Sequence, residues 1–289
     1  MTTIGVIGGS GLYEMAGLQK VERVRLETPF GDPSDEYVRG TLGGTKLVFL
    51  PRHGRGHRFL PTEVNYRANV FGMKLLGVEQ LVGVGAVGSL REDVHPGELL
   101  VPDQMIDRTR QRPSTFFGRG IVAHVAFADP VCKRLGSLVG AAGRAVGAKL
   151  HEGGVYVCME GPQFSTRAES YLYRSWGGTV IGMTNLQEAK LAREAEICFA
   201  TLALVTDYDC WREHDADVSI EDILRIMSGN VGTAQKLLAD LATRVTDERA
   251  CGCGRALENA IITDPARIPE SVRRDLDPIA GKYLRGRPA

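Results

Sequence analysis

The chain has 289 residues, of which 43% are hydrophobic and 24% charged, a composition typical of folded globular proteins that excludes an intrinsically disordered chain. Its 35 basic and 35 acidic residues give a formal net charge of zero, so no overall charge favours a nucleic-acid or membrane-surface partner. The N-terminus lacks a signal-peptide pattern, and no window is apolar for the length of a membrane span. We therefore expect a cytoplasmic protein in which any anion site is local.

Apolar runs alternate with helical patterns along the chain. Strands are predicted at 3–9, 45–50, 80–88, 98–102, 153–161, 179–184 and 198–207. Helices are predicted at 63–76, 129–146, 167–176 and 187–196. This alternation predicts a three-layer α/β fold, and the absence of linker-like or repeated segments favours a single domain.

The C-terminal part carries a further helical pattern over 218–245. Its apolar positions are Ile220, Ile223, Leu224, Met227, Leu237, Leu238 and Leu241. Core packing is the ordinary meaning of such a stripe. A short helix is expected over 256–261, followed by a tail that wraps a neighbouring subunit or frays. We divide the chain into a main domain over 1–250 and an extension over 251–289 that joins the same domain or packs on another subunit.

The first predicted strand runs into a glycine-rich turn that contains Ser10. Free backbone N–H groups and a hydroxyl in such a turn can bind a phosphate oxygen. A dinucleotide-binding fingerprint starting at Gly9 and Gly11 meets Glu14 where its third glycine belongs, and no Lys-Ser or Lys-Thr follows as in a Walker loop. A plain tight turn remains the alternative.

The second predicted strand is followed by a loop that concentrates positive and titratable side chains. These are Arg52, His53, Arg55, His57 and Arg58. In a chain without net charge, such a concentration predicts an anion site, with a solvated basic loop as the alternative. His53 and His57 have the spacing of zinc ligands on a helix, but Gly54 and Gly56 make a helix there improbable and weaken the metal interpretation.

Two more predicted strands end in turns that offer backbone N–H groups and a hydroxyl, from Ser89 and Thr184. Another strand, 197–205, is apolar on nearly every residue, as expected for a strand buried on both sides, and it leads to Asp207 and Asp209. On a strand this spacing puts both carboxylates on one face. Two acids that share a dry site cannot both ionise cheaply, so one holds its proton to higher pH and can donate it.

An N-capping pair or a solvated turn is the alternative for the two acids. Because ligands bind at the carboxyl ends of such sheets, these strand ends predict one crevice with a basic and an acidic side. Phosphate bound on one side and a protonated leaving group on the other would give phosphorolysis.

The six cysteines are Cys132, Cys158, Cys198, Cys210, Cys251 and Cys253. The first four are scattered and are interpreted as buried thiols. Cys251 and Cys253 form a Cys-Gly-Cys that could chelate a metal with help from elsewhere, form a strained disulfide or bridge to another cysteine. Without a second pair at zinc-ligand spacing we expect no metal, and favour a local redox or stability role.

Several long segments together resemble the family of trimeric purine nucleoside phosphorylases and methylthioadenosine phosphorylases. They are GVIGGSGL, ETPFGDPSD, RHGRGHRFLPTEVNYRAN, GAVGSLRE, MEGPQFSTRAES, GMTNLQEAKLARE and TDYDCW. The resemblance extends from Ile4 to about Leu241. It implies a single α/β domain with a central mixed sheet, a homotrimer with active sites near subunit boundaries, and no metal or organic cofactor.

The resemblance also implies a phosphate site made by Ser10, Arg52, His53 and Thr184, with the backbone of Ala86. Many relatives have Thr or Ser where this chain has Gly85, which removes a hydroxyl from that site.

For the nucleoside, the resemblance places Met183 against the ribose and Phe164 beside the base. His124 is similar to a residue that reaches into the neighbouring subunit's site. Glu188 matches a buried acid of the purine site.

Substrate choice is implied by the acidic pair, because relatives that prefer 6-oxopurines have Asn at the position of Asp207. A carboxylate suits an amino group and a basic ring nitrogen, which points to adenine. Ile220, Ile223 and Leu224 match positions around the 5′ substituent, where apolar side chains suit a methylthio group.

The expected reaction is therefore phosphorolysis of 5′-methylthioadenosine to adenine and 5-methylthioribose 1-phosphate. Asp207, Asp209 and His53 are the candidate catalytic residues: Asp207 would supply or direct the proton, and Asp209 would bind the amino group or tune its neighbour. The alternative within the family is a phosphorylase for inosine and guanosine or for methylthioinosine. A nucleotide-binding regulatory protein and a dehydrogenase are the alternatives from other classes, and the missing third glycine disfavours the dehydrogenase.

Overall fold

The computed structural model describes residues 2–212 and 220–285, apart from the side chains of Ser10, Tyr13 and Asp222. The strands of this part of the chain are β1 (Thr3–Gly8), β2 (Gln19–Val24), β3 (Tyr37–Leu42), β4 (Thr45–Pro51), β5 (Gln80–Ser89), β6 (Leu99–Val101), β7 (Gln104–Arg108), β8 (Leu150–Glu152), β9 (Val155–Met159), β10 (Gly178–Gly182) and β11 (Cys198–Asp207). The α-helices are α1 (Tyr66–Leu75), α2 (Lys133–Ala145), α3 (Arg167–Ser175), α4 (Leu186–Glu194), α5 (Ile220–Arg244), α6 (Glu270–Asp275) and α7 (Asp277–Leu284). None of these helices has the length and apolar character needed to cross a bilayer.

The strands form one mixed sheet, as predicted. Its main path runs β2-β3-β4-β1-β5-β10-β9-β7, while β11 pairs with β5 and β6, and β8 pairs with β6. Strand β5 lies parallel to β1 and β11 and antiparallel to β10. Strand β11 is buried along nearly its whole length, which agrees with its unbroken apolar sequence.

Helices cover both faces of the sheet because alternate strand side chains point to opposite sides. On β4, Leu47 and Phe49 pack into the cluster that contains the apolar faces of α2 and α5. Val48 and Leu50 pack into the other cluster, with α1, α4 and α7. The prediction of a three-layer α/β domain is thereby confirmed.

A gap in strand pairing at the centre of the sheet positions the candidate site. Strand β1 pairs with β5 as far as Gly83, and β10 pairs with β5 only from Gly88 onwards. Between these points one edge of β5 has no neighbouring strand, and Ala86 is exposed although it lies on a central strand. The ends of β1, β4, β10 and β11 surround this gap.

The C-terminal segment differs from the prediction. No helix spans 256–261; a 3₁₀ turn at Gly252–Arg255 is followed by irregular turns. The following residues are not a loose tail either, because Val272, Leu276 and Ile279 of α6, α7 and their junction are buried in the core. The last four residues, 286–289, lie outside the described part.

Candidate active site

Arg52 follows β4 and turns its guanidinium into the protein beneath the gap. It is only 2% exposed, and Nε and Nη2 donate to the two carboxylate oxygens of Glu188 at 2.5 and 2.9 Å. Nη2 also donates to Asn185 Oδ1 at 2.9 Å, and Nη1 donates to the Val84 carbonyl at 2.8 Å. The guanidinium is therefore held rigidly by a buried ion pair, with little of its donor capacity left for a ligand.

Glu188 and Asn185 belong to the start of helix α4. Glu188 is fully buried, so its carboxylate reaches Arg52 and not the open crevice. Asn185 precedes the helix with a positive φ of 78° and donates from Nδ2 to Thr201 Oγ1. A side chain at Gly83 would bring its Cβ within 2.8 Å of Glu188 Oε2, so glycine is required there. Asn185 could not be singled out from the sequence, because only the fold brings it to Arg52.

His53 lies beside Arg52 and is half-buried. Its Nδ1 donates to the Phe59 carbonyl at 2.8 Å, and its ring stacks on His57 with 4.3 Å between ring centroids. Burial, together with the positive charge of Arg52, lowers the pKa of His53 to about 4. The imidazole is therefore neutral near pH 7, and because Nδ1 carries the proton, Nε2 can accept a hydrogen bond.

Two polar groups approach the gap at Gly85. A Cβ built on this glycine would lie 3.6 Å from Thr184 Oγ1 and 3.7 Å from Arg52 Nη1. The exposed residue Ala86 follows directly. The Arg52 N–H donates to the Gly8 carbonyl, so the ends of β1 and β4 adjoin and bring the turn that starts at Ser10 alongside. The Ser10 side chain itself lies outside the described part.

The two acids stand at the other margin of the gap, but not on one strand face as predicted. Strand β11 ends at Asp207, and Asp209 has a positive φ of 54°. The Asp209 N–H donates to Asp207 Oδ1 at 2.8 Å, and Thr206 Oγ1 donates to Asp207 Oδ2 at 2.7 Å. The expectation was wrong because the backbone turns after Asp207 and closes an Asx turn. A Cβ at Gly88 would come within 2.7 Å of Asp207 Oδ1, so only glycine allows this approach.

Burial raises the pKa of Asp207 above its usual range. Burial also raises the pKa of Asp209, and the nearby negative charge of Asp207 acts in the same direction. Asp209 Oδ2 is buried without a hydrogen-bond partner among the described residues. Both carboxyls therefore keep their protons to higher pH than a free aspartate, in the direction that the sequence predicted.

Met183 and Phe164 lie on neighbouring loops. A Cβ at Gly161, in the loop that leads to Phe164, would come within 2.5 Å of Met183 Sδ. Phe164 is 43% exposed. The buried guanidinium of Arg112 joins the two loops by donating to the carbonyls of Met183 and Glu160. Arg112 was missed because its segment carries no recognisable motif.

Ile220, Ile223 and Leu224 begin helix α5, whose position beside the crevice is fixed by two hydrogen bonds. Gln235 Nε2 donates to the Gly11 carbonyl at 2.7 Å, and Asn230 Nδ2 donates to the Val205 carbonyl at 3.0 Å. Ile220 is 59% and Leu224 is 63% exposed. This end of the helix therefore offers apolar side chains that the described core does not cover.

His124 is not part of the crevice of its own chain. It is exposed, and its N–H donates to the Ala260 carbonyl at 2.9 Å. It lines a separate cavity with residues of the C-terminal segment. The contribution to a neighbouring subunit stays a prediction.

A model of the phosphorylase superfamily matches residues 3–243. The S-methyl-5′-thioadenosine phosphorylase of Geobacter sulfurreducens is 59% identical over 282 residues, which cover 97% of this chain and 99% of the relative. The chain belongs to the phosphorylase superfamily. The S-methyl-5′-thioadenosine phosphorylase of Thermosynechococcus vestitus is 57% identical over 97% of this chain and 99% of its own length. The family resemblance drawn from the motifs is confirmed.

Solved structures of this superfamily share the fold. A methylthioadenosine phosphorylase from an antarctic soil metagenomic library has a TM-score of 0.92 and 45% identity, covering 96% of this chain and 98% of its own. A mutant adenosine/methylthioadenosine phosphorylase of Schistosoma mansoni in complex with methylthioadenosine has a TM-score of 0.80 and 35% identity, covering 86% and 93%.

Proposed function

We propose that the chain catalyses phosphate-dependent cleavage of 5′-methylthioadenosine to adenine and 5-methylthioribose 1-phosphate. One observation supports this most. Arg52 and Thr184 flank Gly85, and Asp207 lies against Gly88 on the same strand. Three strand residues span about 10 Å, which leaves room for a sugar between an anion site and a proton donor. The names of the relatives, and the methylthioadenosine bound in the Schistosoma mansoni complex, agree with this substrate.

Phosphate binds at the Gly85 margin. Ser10, Thr184 and the Ala86 backbone supply hydrogen bonds, while Arg52 contributes mainly its fixed positive charge, because Glu188 occupies most of its donors. His53 is neutral, and its Nε2, which carries no proton, accepts a hydrogen bond from a protonated phosphate oxygen and so orients the phosphate. Glu188 acts by positioning Arg52.

The reaction replaces one bond to C1′ by another. As the bond from C1′ to the purine N9 breaks, its electron pair moves into the purine ring and a phosphate oxygen forms the new bond to C1′. Asp207, whose pKa burial raises, supplies the proton to N7 of the leaving adenine. Asp209 binds the 6-amino group. Met183 contacts the ribose, and Phe164 lies beside the base.

The 5′ substituent lies against the start of helix α5. Ile220, Ile223 and Leu224 present only apolar side chains there, so a methylthio group keeps its contacts whereas a hydroxyl would lose hydrogen bonds to water. Burying a methylthio group against exposed Ile220 and Leu224 also removes apolar surface from water, which favours the methylated substrate.

We also propose that the enzyme is a homotrimer in which His124 contacts the neighbouring subunit's substrate. Val122 and Ile262 near His124 are 43% and 65% exposed, as apolar side chains of an interface are in a single chain. The reaction as written needs no metal or organic cofactor, since phosphate is a co-substrate. None of the six cysteines, all of which lie within the described residues, forms a disulfide, which fits a reducing cytoplasm. Light scattering should give three times the mass of the chain.

The central experiment measures release of free base from 5′-methylthioadenosine, adenosine and inosine, each with and without phosphate. Adenine should appear from methylthioadenosine only when phosphate is present, and faster than hypoxanthine from inosine. Base release without phosphate would identify a hydrolase, and faster turnover of inosine would contradict the proposed substrate.

Base selection is tested by Asp207→Asn. The Asp207 carboxyl suits both N7 and the neighbouring 6-amino group, whereas an amide can serve a carbonyl at the 6-position. The variant should therefore shift the ratio of adenosine to inosine turnover toward inosine by at least about tenfold, the effect of a mismatched hydrogen-bond partner in a buried site. An unchanged ratio would count against base selection by this side chain.

A further inference from the structure

Four cysteines meet at the amino end of the sheet. Cys132 precedes α2, Cys198 is the first residue of β11, and Cys251 and Cys253 belong to the turn after α5. Their four Sγ atoms all lie within 4.8 Å of one another. Cys132 and Cys198 are buried, as predicted, but they also meet Cys251 and Cys253, because the fold brings together residues up to 121 positions apart. We refer to Cys132, Cys198, Cys251 and Cys253 as the cysteine cluster.

The spacing suits one metal ion. Zinc holds thiolates at about 2.3 Å in a tetrahedron, which separates the sulfurs by roughly 3.8 Å. The Sγ atoms of Cys198 and Cys251 are 3.4 Å apart, and the largest separation in the cluster is within 4.8 Å. A disulfide would need about 2.0 Å between sulfurs, and iron–sulfur clusters bind their cysteines through several iron atoms, which spreads the sulfurs further.

The surroundings suit a cluster of thiolates. Cys132 lies at the N-terminus of α2, where the helix dipole favours negative charge. The adjoining cavity is lined by more basic than acidic side chains: Lys133, Arg134, Arg193 and Arg255 against Asp129 and Glu258.

The cluster is accessible from this cavity. Its volume is about 580 Å³, and Cys132, Cys251 and Cys253 form part of its wall. Cys132, Cys198 and Cys253 are otherwise buried, so an ion entering through the cavity would meet thiols on one side and few competing water molecules.

We propose that the cysteine cluster binds one structural Zn²⁺ through its four sulfur atoms. On binding, the four thiols lose their protons to solvent and four Zn–S bonds form, which gives a site of net charge −2 that the basic cavity wall balances. With four protein ligands no coordination position is open, so the ion has a structural role. It fastens the C-terminal segment to α2 and β11.

This proposal is independent of the proposed function. The nine residue steps from Cys198 to Asp207 along β11 span roughly 30 Å, so the ion takes no part in the chemistry of the crevice.

The first test is metal content. The full chain is reduced, incubated with Zn²⁺, passed through a desalting column and subjected to elemental analysis. It should retain about one zinc ion per chain, and Cys251→Ser and Cys253→Ser should each retain at least tenfold less. Cys210→Ser, which removes a thiol outside the cluster, serves as the matched control and should retain the full amount. Wild-type protein without zinc, or variants with the wild-type amount, would overturn the proposal.

The second test uses the wild-type chain, so its result does not depend on whether a variant folds. Cobalt added to the reduced, metal-free wild-type chain should produce the thiolate-to-cobalt absorption of a tetrahedral sulfur site, and zinc should displace it. A chelator should lower the thermal unfolding midpoint of the zinc-loaded protein, because the ion binds only the folded state. If the chain as purified has no metal and shows in its intact mass the loss of hydrogen that marks a disulfide, the cluster is a redox pair and the zinc proposal is wrong.

Discussion

Helix α4 carries a buried glutamate near each end, and the two are accommodated in different ways. Glu188, at the crevice, forms an ion pair with Arg52. Glu194, at the opposite end of the sheet, accepts hydrogen bonds from Thr115 Oγ1 and the Phe116 N–H, and burial raises its pKa to about 7. The comparison shows that burial alone does not mark a functional acid: the partner does, and only the crevice carboxylate is matched with a buried charge.

Strand β11 repeats this contrast. It starts at Cys198 in the cysteine cluster and ends at Asp207 in the crevice. Polar groups at the carboxyl end surround an open gap in the sheet, whereas those at the amino end join separate segments of the chain. Changes at the carboxyl end should therefore reduce turnover, and changes at the amino end should reduce stability.

The largest effect is expected from Asp207→Ala. Removing a general acid typically costs 10²–10⁴-fold in rate, so kcat for methylthioadenosine should fall by about that factor. The melting temperature should fall only modestly. The hydrogen bonds from the Asp209 N–H and Thr206 Oγ1 are lost, but so is a carboxyl whose ionisation burial disfavours. Steady-state kinetics and calorimetry on the same preparation measure both quantities.

The surface variant Asp93→Ala is the control for this loss, since its exposed carboxylate forms an ion pair with exposed Arg91. It should keep kcat within about twofold, as surface substitutions do. Near-normal turnover of Asp207→Ala would show that Asp207 does not supply the proton. It would also contradict the expectation that changes at the carboxyl end of β11 reduce turnover.

Glu188→Gln should affect both the stability of the fold and the kinetics of the enzyme. It leaves the Arg52 charge buried without its counter-charge, a change that costs about 3 kcal/mol or more. Because Arg52 also borders the phosphate margin, KM for phosphate should rise. Urea unfolding should show a lower midpoint with an unchanged slope. A loss below about 1 kcal/mol would mean that the ion pair does not hold this region.

Glu194→Gln is the matched substitution at the other end of α4, and its effect should depend on pH. The pKa of Glu194 is about 7 in the folded chain against 4.5 as its ordinary value, so its contribution to stability is complete below pH 4.5 and is lost as pH rises to 7. At 1.36 kcal/mol per pKa unit, the total is about 3 kcal/mol at most.

The glutamine variant lacks this titration, so its stability relative to wild type should improve by about 2 kcal/mol between pH 5 and pH 8. Urea unfolding at both pH values measures the difference. Parallel pH profiles of variant and wild type would show that Glu194 is not neutralised in the folded protein.

Much of the crevice was predictable because its residues follow strands within continuous motifs. Arg52, Thr184 and Asp207 could be placed at strand ends from apolar runs and turn residues alone. The pairing of Arg52 with Glu188 across 136 positions could not, since it depends on how β4 and α4 pack. The turn at Asp209 was missed because a positive φ at an aspartate has no reliable local signal.

The fold shows the same division. Central strands such as β5 and β11 were found from their apolar runs, whereas β2 was missed because its mostly exposed residues, QKVERV, lack an apolar run. The cysteine cluster lay beyond prediction for a similar reason: its four ligands are separated by 66, 53 and 2 positions, and zinc modules are recognised by close pairs.

The smallest expected effect comes from a substitution at Gly85, and comparing it with one at Gly88 distinguishes the phosphate margin of the crevice from the base margin. Gly85→Ser adds a hydroxyl between Thr184 Oγ1 and Arg52 Nη1, where a Cβ meets only ordinary contacts of 3.6 and 3.7 Å. One net hydrogen bond contributes about 0.5–1.5 kcal/mol, so KM for phosphate should fall by roughly 2–12-fold while KM for methylthioadenosine stays nearly constant. Gly85→Ala, which adds the Cβ without the hydroxyl, should leave KM for phosphate unchanged.

Gly88→Ser should instead lose turnover, because its Cβ would meet Asp207 Oδ1 at 2.7 Å. Equal effects of the two serine substitutions on phosphate KM would show that β5 does not separate a phosphate margin from a base margin.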